Sequence, residues 1–178
     1  MRSLAALIAL AALAAPLGSA AQSKHNSDAP VDVAADSGEL QDKAGKSILT
    51  GNVVIRQAEM TLTASRVILT YSGKVTDGNP ELLRADATGN VVVTRPNQTA
   101  KAQYGIYDIK RRVIIMLGAV TLNQGANNVN GSRLTMNLDT GKAVIDGSGV
   151  ASGTAPNGIK TGPGGRVTGR FSVPKRTQ

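Results

Sequence analysis

Residues 118–122 read Gly-Ala-Val-Thr-Leu, and residues 131–141 read Gly-Ser-Arg-Leu-Thr-Met-Asn-Leu-Asp-Thr-Gly. In the second stretch Leu134, Met136 and Leu138 alternate with Thr135, Asn137 and Asp139. Alternation of that kind is the period of a half-buried strand and does not fit a helix. Asp139-Thr140-Gly141 then supplies turn chemistry, since Asp and Gly adopt tight-turn geometry cheaply. Upstream, Gly51-Asn52-Val53-Val54-Ile55 and Gly89-Asn90-Val91-Val92-Val93 repeat the Gly-[Asn/Ala]-Val pattern of residues 118–122. A degenerate fourth copy spans Gly147 to Val150. Ser65-Arg66 stands at the same offset from Gly51 as Ser132-Arg133 from Gly118. Self-similarity at such a period predicts a fold made by stacking one supersecondary unit. The unit is two strands joined by a polar turn, with each Gly-[Asn/Ala]-Val read as a strand start.

The rest of the body follows suit. Val67, Leu69 and Tyr71 likewise fall on one parity, whereas Met60, Leu62 and Ala64 lie on the other. The switch predicts a bulge near Ser65-Arg66. Val, Ile and Thr dominate the runs, and β-branched residues suit a pleated surface. Val53 to Ile55, Val91 to Val93 and Val113 to Leu117 are apolar on both parities, so their inward faces stay open. The fold class is all-β, an open stack of repeated antiparallel strand pairs.

Composition narrows function. The chain has 178 residues, no Cys, no Trp, one His and four aromatics in all (Tyr71, Tyr104, Tyr107, Phe171). Without cysteine there is no disulfide framework, thiol nucleophile or cysteine-ligated metal. One His gives no His cluster, and so few aromatics speak against base-stacking nucleic-acid binding. Asp36, Glu39, Asp42, Asp86 and Asp108 form no defensible acid–base couple. Gly45-Lys46-Ser47 ends like a phosphate-binding loop, but Leu40 stands where the first Gly belongs. These readings predict no enzyme, no cofactor, no metal and no nucleic-acid partner. His25 is expected to be solvated in a polar stretch.

Arg2, the apolar run Leu4 to Leu13, the breakers Pro16 and Gly18, and Ser19-Ala20-Ala21 together read as a signal peptide. Residues 1–21 are expected to be removed, leaving residues 22–30 as a flexible mature N-terminus, 31–150 as the domain and 151–178 as a tail. The tail holds six Gly, three Pro and five cations (Lys160, Arg166, Arg170, Lys175, Arg176) without an acid. Residues 22–150, with 14 basic and 12 acidic residues, are nearly balanced. The tail therefore reads as flexible or partly ordered, either solvated or attracted to nucleic acid, anionic lipid or phosphate.

The Gly-Asn-Val repeats, the segments Ala64 to Tyr71 and Ala102 to Asp108, and the closing residues 131–141 resemble the LptA/OstA-like family. The likeness covers roughly Val31 to Gly149; the basic tail falls outside it. The resemblance implies an open, twisted β-jellyroll in the periplasm whose interior carries the acyl chains of lipopolysaccharide. It also implies a bridge between an inner-membrane LptC-like and an outer-membrane LptD-like partner. Competing readings are an exported structural or adhesin module that binds no lipid and a β-helical polysaccharide-active enzyme.

Candidate residues follow from alternation or from central places in apolar runs. Val53, Ile55, Leu62, Leu69, Val93, Ile115, Leu134, Met136 and Leu138 are expected to line an acyl-chain groove. A thin packed core is the other reading of the same small aliphatic residues. Lys110, Arg111 and Arg112 read as a charged hairpin turn or as contacts for lipid phosphates. Arg66 and Arg133 read as solubilising charges at strand edges. An open stack exposes unpaired backbone groups at its first and last strands. Val31 and Val33 at one end, and Val144 and Ile145 at the other, are the candidates for pairing with a partner or a second copy end to end.

Overall fold

The computed structural model describes residues 25–74, 76, 78, 80–147 and 167–170. The expected signal peptide, most of the tail, and Ser148 to Val150 of the fourth repeat lie outside the described residues. Ten strands form one antiparallel sheet: β1 (Val31–Ala34), β2 (Ser37–Gln41), β3 (Lys46–Gln57), β4 (Met60–Ser72), β5 (Glu81–Arg95), β6 (Gln98–Asp108), β7 (Val113–Gln124), β8 (Asn127–Asn137), β9 (Ala143–Asp146) and β10 (Thr168–Arg170). The six long strands β3 to β8 pair in chain order through hairpins. Two short strands flank each side, with β1 and β2 both on β3 and with β9 and β10 both on β8. Thus three residues of the expected tail, Thr168 to Arg170, run antiparallel to Asn128–Asn130.

The Gly-[Asn/Ala]-Val signature does not start strands; it falls in the middle of β3, β5 and β7. Each copy puts two consecutive residues in the left-handed region: Gly51 and Asn52 (φ 80 and 42), Gly89 and Asn90 (77 and 50), and Gly118 and Ala119 (80 and 47). Glycine takes this conformation freely and Asn often does, which explains the motif's composition. At each site the ladder register slips, as between Thr50 and Val53 opposite Arg66 and Ala64. The partner strands answer with two successive outward residues. Ser65 and Arg66 are both exposed between buried Ala64 and Val67, as are Gln103 and Tyr104 between Ala102 and Gly105. The expected parity switch is therefore present, while the left-handed residues sit on the neighbouring strands. Arg66 and Arg133 are exposed at this seam, in mid-strand rather than at a sheet edge.

The seam divides every long strand into two arms. The first arm ends in the hairpins at 58–59, 96–97 and 125–126, the second at the junction of β4 with β5 and in the turns at 109–112 and 138–142. Contacts between strands that are not ladder neighbours show that the arms fold over one another. Gln57 of β3 is hydrogen-bonded to Tyr107 of β6, and Arg95 of β5 reaches Met136 of β8. Near the seam the arms approach closely, since a methyl added at Gly105 would lie 2.9 Å from Val91 Cγ1. Alternating inward residues from both arms form one apolar cluster, among them Ile55, Leu62, Val67, Ile114, Met116 and Leu134.

Replacing Gly118 by Val puts a β-branched residue at φ +80, with its Cβ 2.8 Å from Gln103 Oε1. Left-handed strain of this kind costs about 1–3 kcal/mol. Urea unfolding is expected to show that loss, and a Gly118→Val midpoint equal to wild type would contradict the role assigned to the seam.

Candidate functional site

The space between the arms is the candidate site, and strand alternation decides which residues reach it. Val53, Ile55, Leu62, Leu69, Val93, Leu134, Met136 and Leu138 all lie there, each at most 3% exposed. Ile115 does not. On β7 the buried residues are Ile114 and Met116, so Ile115 faces the opposite side and is half-buried. In a run apolar on both parities, hydrophobicity alone gave no phase, and the choice of Ile115 is corrected to its neighbours. Five alanines, Ala64, Ala85, Ala87, Ala100 and Ala102, also face inward and keep the layer thin. The interior is packed, with most of these side chains out of contact with water.

Polar residues take over the inward positions where the first arm ends. Gln57 continues the inward parity of Val53 and Ile55, and Arg95 continues that of Val91 and Val93. These two residues mark the lip, where the arms meet without a backbone ladder. Gln57 is 2% exposed and is the centre of a clasp. Its Oε1 accepts from the Tyr107 hydroxyl and lies 3.3 Å from His25 Nε2. Its Nε2 donates to the carbonyls of Ser27 and Ala29, both at 2.9 Å. Burial pushes the Tyr107 phenol up to about 12, with Asp139 adding to the shift while Arg112 and the Gln57 bond oppose it. A buried neutral phenol fits a donor role in a polar network.

Residues 25–29 thus form a strap across the lip. Ser27 Oγ donates to Asp139 Oδ1 at 2.9 Å, and Arg112 bridges Asp28 at 2.6 Å and Asp139 at 3.4 Å. His25 is 4% exposed, which corrects the expectation of a solvated residue. The reason is Gln57, a partner 32 positions away that local polarity does not reveal. Arg112 closes the β6–β7 turn with φ 57, confirming a hairpin. Its guanidinium is shared by two carboxylates, Asp28 and Asp139. Lys110 and Arg111 are exposed in the same turn.

At the sheet margins, β1 lies against Val54–Gln57 of β3 and β9 against Arg133–Met136 of β8. Val31 and Ile145 pack against the core, whereas Val33 and Val144 are 38% and 42% exposed. Gln57, Tyr107, His25 and Arg95 were missed by sequence reasoning. A usable signal existed for Gln57 and Arg95: each is polar on a parity that its own strand makes apolar. Among the described residues no three His, Asp or Glu side chains are grouped to hold a metal ion.

An antiparallel sheet folded at a glycine seam around an apolar interior, with short strands at both margins, defines a jellyroll-type β-domain. The sequence matches the family model described as LptA/(LptD N-terminal domain) LPS transport protein over residues 32–142, and the chain belongs to that family. It is 34% identical over 150 residues to an uncharacterised protein of Rhizobium meliloti (strain 1021), covering 82% of this chain and 81% of that one. In fold it is similar to LptH, the LptA-homologous periplasmic component of the lipopolysaccharide transport device of Pseudomonas aeruginosa. The TM-score is 0.66 at 19% identity, over 84% of this chain and 99% of that one. The fold is the open, twisted β-jellyroll that the family resemblance implied.

Proposed function

We propose that this lipopolysaccharide-transport family member is an exported periplasmic carrier that holds lipopolysaccharide acyl chains between its two arms. The observation that carries the reading is the single apolar cluster contributed by both arms and bounded at the lip by side-chain contacts rather than a ladder. Moving a lipid through water exposes its chains at about 0.8 kcal/mol per methylene. A 12-carbon chain is then worth on the order of 10 kcal/mol, so several chains need a sheltered path. In the lipid-free state the arms shelter each other. On loading, acyl chains replace the arm-to-arm contacts, and the strap at the lip must give way. Lys110 and Arg111, exposed beside the strap, are proposed to lie near the lipid headgroup.

The sheet margins fit a bridge. Val31 and Val33 on β1, and Val144 and Ile145 on β9, belong to short outermost strands. Each has backbone groups to offer an LptC-like or LptD-like β-partner, or a second copy. A first-to-last contact between copies is heterologous and gives chains of variable length. β10, all three residues of it exposed, occupies only the Asn128–Asn130 part of β8 and leaves β9 clear.

Photoreactive residues introduced singly at Leu62, Met136 and Ile115 test the interior. Leu62 and Met136 are expected to crosslink bound lipopolysaccharide, and Ile115 is not. Equal crosslinking from Ile115, or none from the inward pair, would overturn the carrier reading in favour of a structural module. Light scattering of the mature chain tests the margins. End-to-end oligomers should grow with concentration and be weaker in Val144→Pro, because proline removes a donor that pairing needs. A strictly monomeric mature chain would sink the pairing.

A further inference from the structure

The lip carries a cation with no counter-charge. Arg95 follows Val91 and Val93 on the inward parity of β5, so its side chain is delivered to the edge of the apolar interior. Its Nη1 donates to Met136 Sδ at 3.7 Å, a weak acceptor on the opposite arm. Its Nε is buried without any partner. Among the described residues it forms no ion pair, unlike Arg84, which is matched by Asp86, and Arg112, which is matched by Asp28 and Asp139. Leaving a buried donor unsatisfied is costly, more so when the group is charged. Arg95 ends β5 and pairs through its backbone with Gln98 across the β5–β6 turn, a role that does not call on its guanidinium.

We propose that Arg95 is a binding site for a phosphoryl group of the lipid headgroup, an inference that rests on the carrier reading. The position explains the residue. An anion carried on acyl chains would arrive at the lip as the chains enter between the arms, where the Arg95 Nε is a donor already buried without a partner. A guanidinium presents several N–H groups in a fixed fork that matches phosphate oxygens. The thioether beneath it is a soft surface that releases the guanidinium easily. Arg112, on the strap side of the lip, differs in that its guanidinium is already shared by two carboxylates. Arg95 therefore fixes the depth and orientation at which the headgroup stops while the chains continue inward.

The test uses the full mature chain and two probes with identical acyl chains, phosphorylated lipid A and the same lipid after removal of its phosphates. Arg95→Gln is expected to bind the phosphorylated probe about tenfold more weakly than wild type. It should bind the dephosphorylated probe equally well, so that the preference between probes disappears. Arg95→Lys, which keeps charge but not the fork, should fall between. Because Arg95 lacks a strong protein partner, the lipid-free Arg95→Gln variant should melt at or above the wild-type temperature; a purely structural residue would lower it. Excess inorganic phosphate should leave the wild-type titration unmoved. An undiminished preference for the phosphorylated probe in Arg95→Gln would overturn the site while sparing the carrier reading. Competition by inorganic phosphate would overturn it in favour of a free-phosphate site. If wild type bound neither probe, the carrier reading would fall and this site with it.

Discussion

Two left-handed residues in succession, repeated in every second long strand, are the constraint on which the architecture depends. A regular antiparallel sheet with strands of 11 to 15 residues would spread as a twisted plane with one face wet. Gly51-Asn52, Gly89-Asn90 and Gly118-Ala119 prevent that by interrupting the ladder at one level across the sheet. Neighbouring side chains lie directly against the seam glycines: Asp36 at Gly51, Ser65 at Gly89 and Gln103 at Gly118. Beside the start of the fourth repeat, Ser132 Oγ donates to the carbonyl of Gly147 at 2.7 Å. A bend shared by all the strands turns one sheet into two facing arms, and the facing arms create an interior. Glycine's freedom at positive φ is thus the local property from which the site descends.

The interior and its lip obey different physics. Inside, small aliphatic side chains hold the arms together by burial alone, which is strong but has little directional preference, so another apolar molecule can substitute for it. At the lip, direction matters. Gln57, Tyr107, His25, Ser27, Asp28, Arg112 and Asp139 join the N-terminal strap to the ends of three strands and turns by hydrogen bonds and ion pairs. Each such bond contributes about 0.5–1.5 kcal/mol net, because water competes for the same groups. A closure assembled from several weak, exchangeable contacts suits the opening that the proposed lipid entry requires. The arms need no separate hinge, for the seam is already the place where pairing is interrupted.

The strands were legible because period-two alternation and turn residues coincide, as in Leu134 to Gly141. The inward face was legible wherever polar residues alternate, and illegible at Val113 to Leu117, where both faces are apolar and Ile115 was assigned the wrong one. The Gly-Asn-Val motif was visible as a repeat but misplaced, since a glycine before a hydrophobic run looks alike at a strand start and at a mid-strand bulge. The strap was hidden because it depends on contacts of high sequence separation: His25 is 32 residues from Gln57, and Asp28 is 84 from Arg112. The margins could be foreseen from the first and last strand-forming segments, but β10, a short piece of a Gly-rich tail, could not.

The central claim is that lipid lies between the arms, so the distance across the lip is the quantity to measure. The chain has no cysteine, and spin labels can be placed uniquely at Asn97, exposed in the β5–β6 turn, and Thr140, exposed in the β8–β9 turn of the opposite arm. Dipolar spectroscopy of the lipid-free protein should give one short distance. Adding lipid A should shift the distribution to longer distances as chains enter and the arms part, and removing the lipid should restore it. Saturable lipid binding with an unchanged Asn97–Thr140 distance would place the lipid outside the arms and contradict the account.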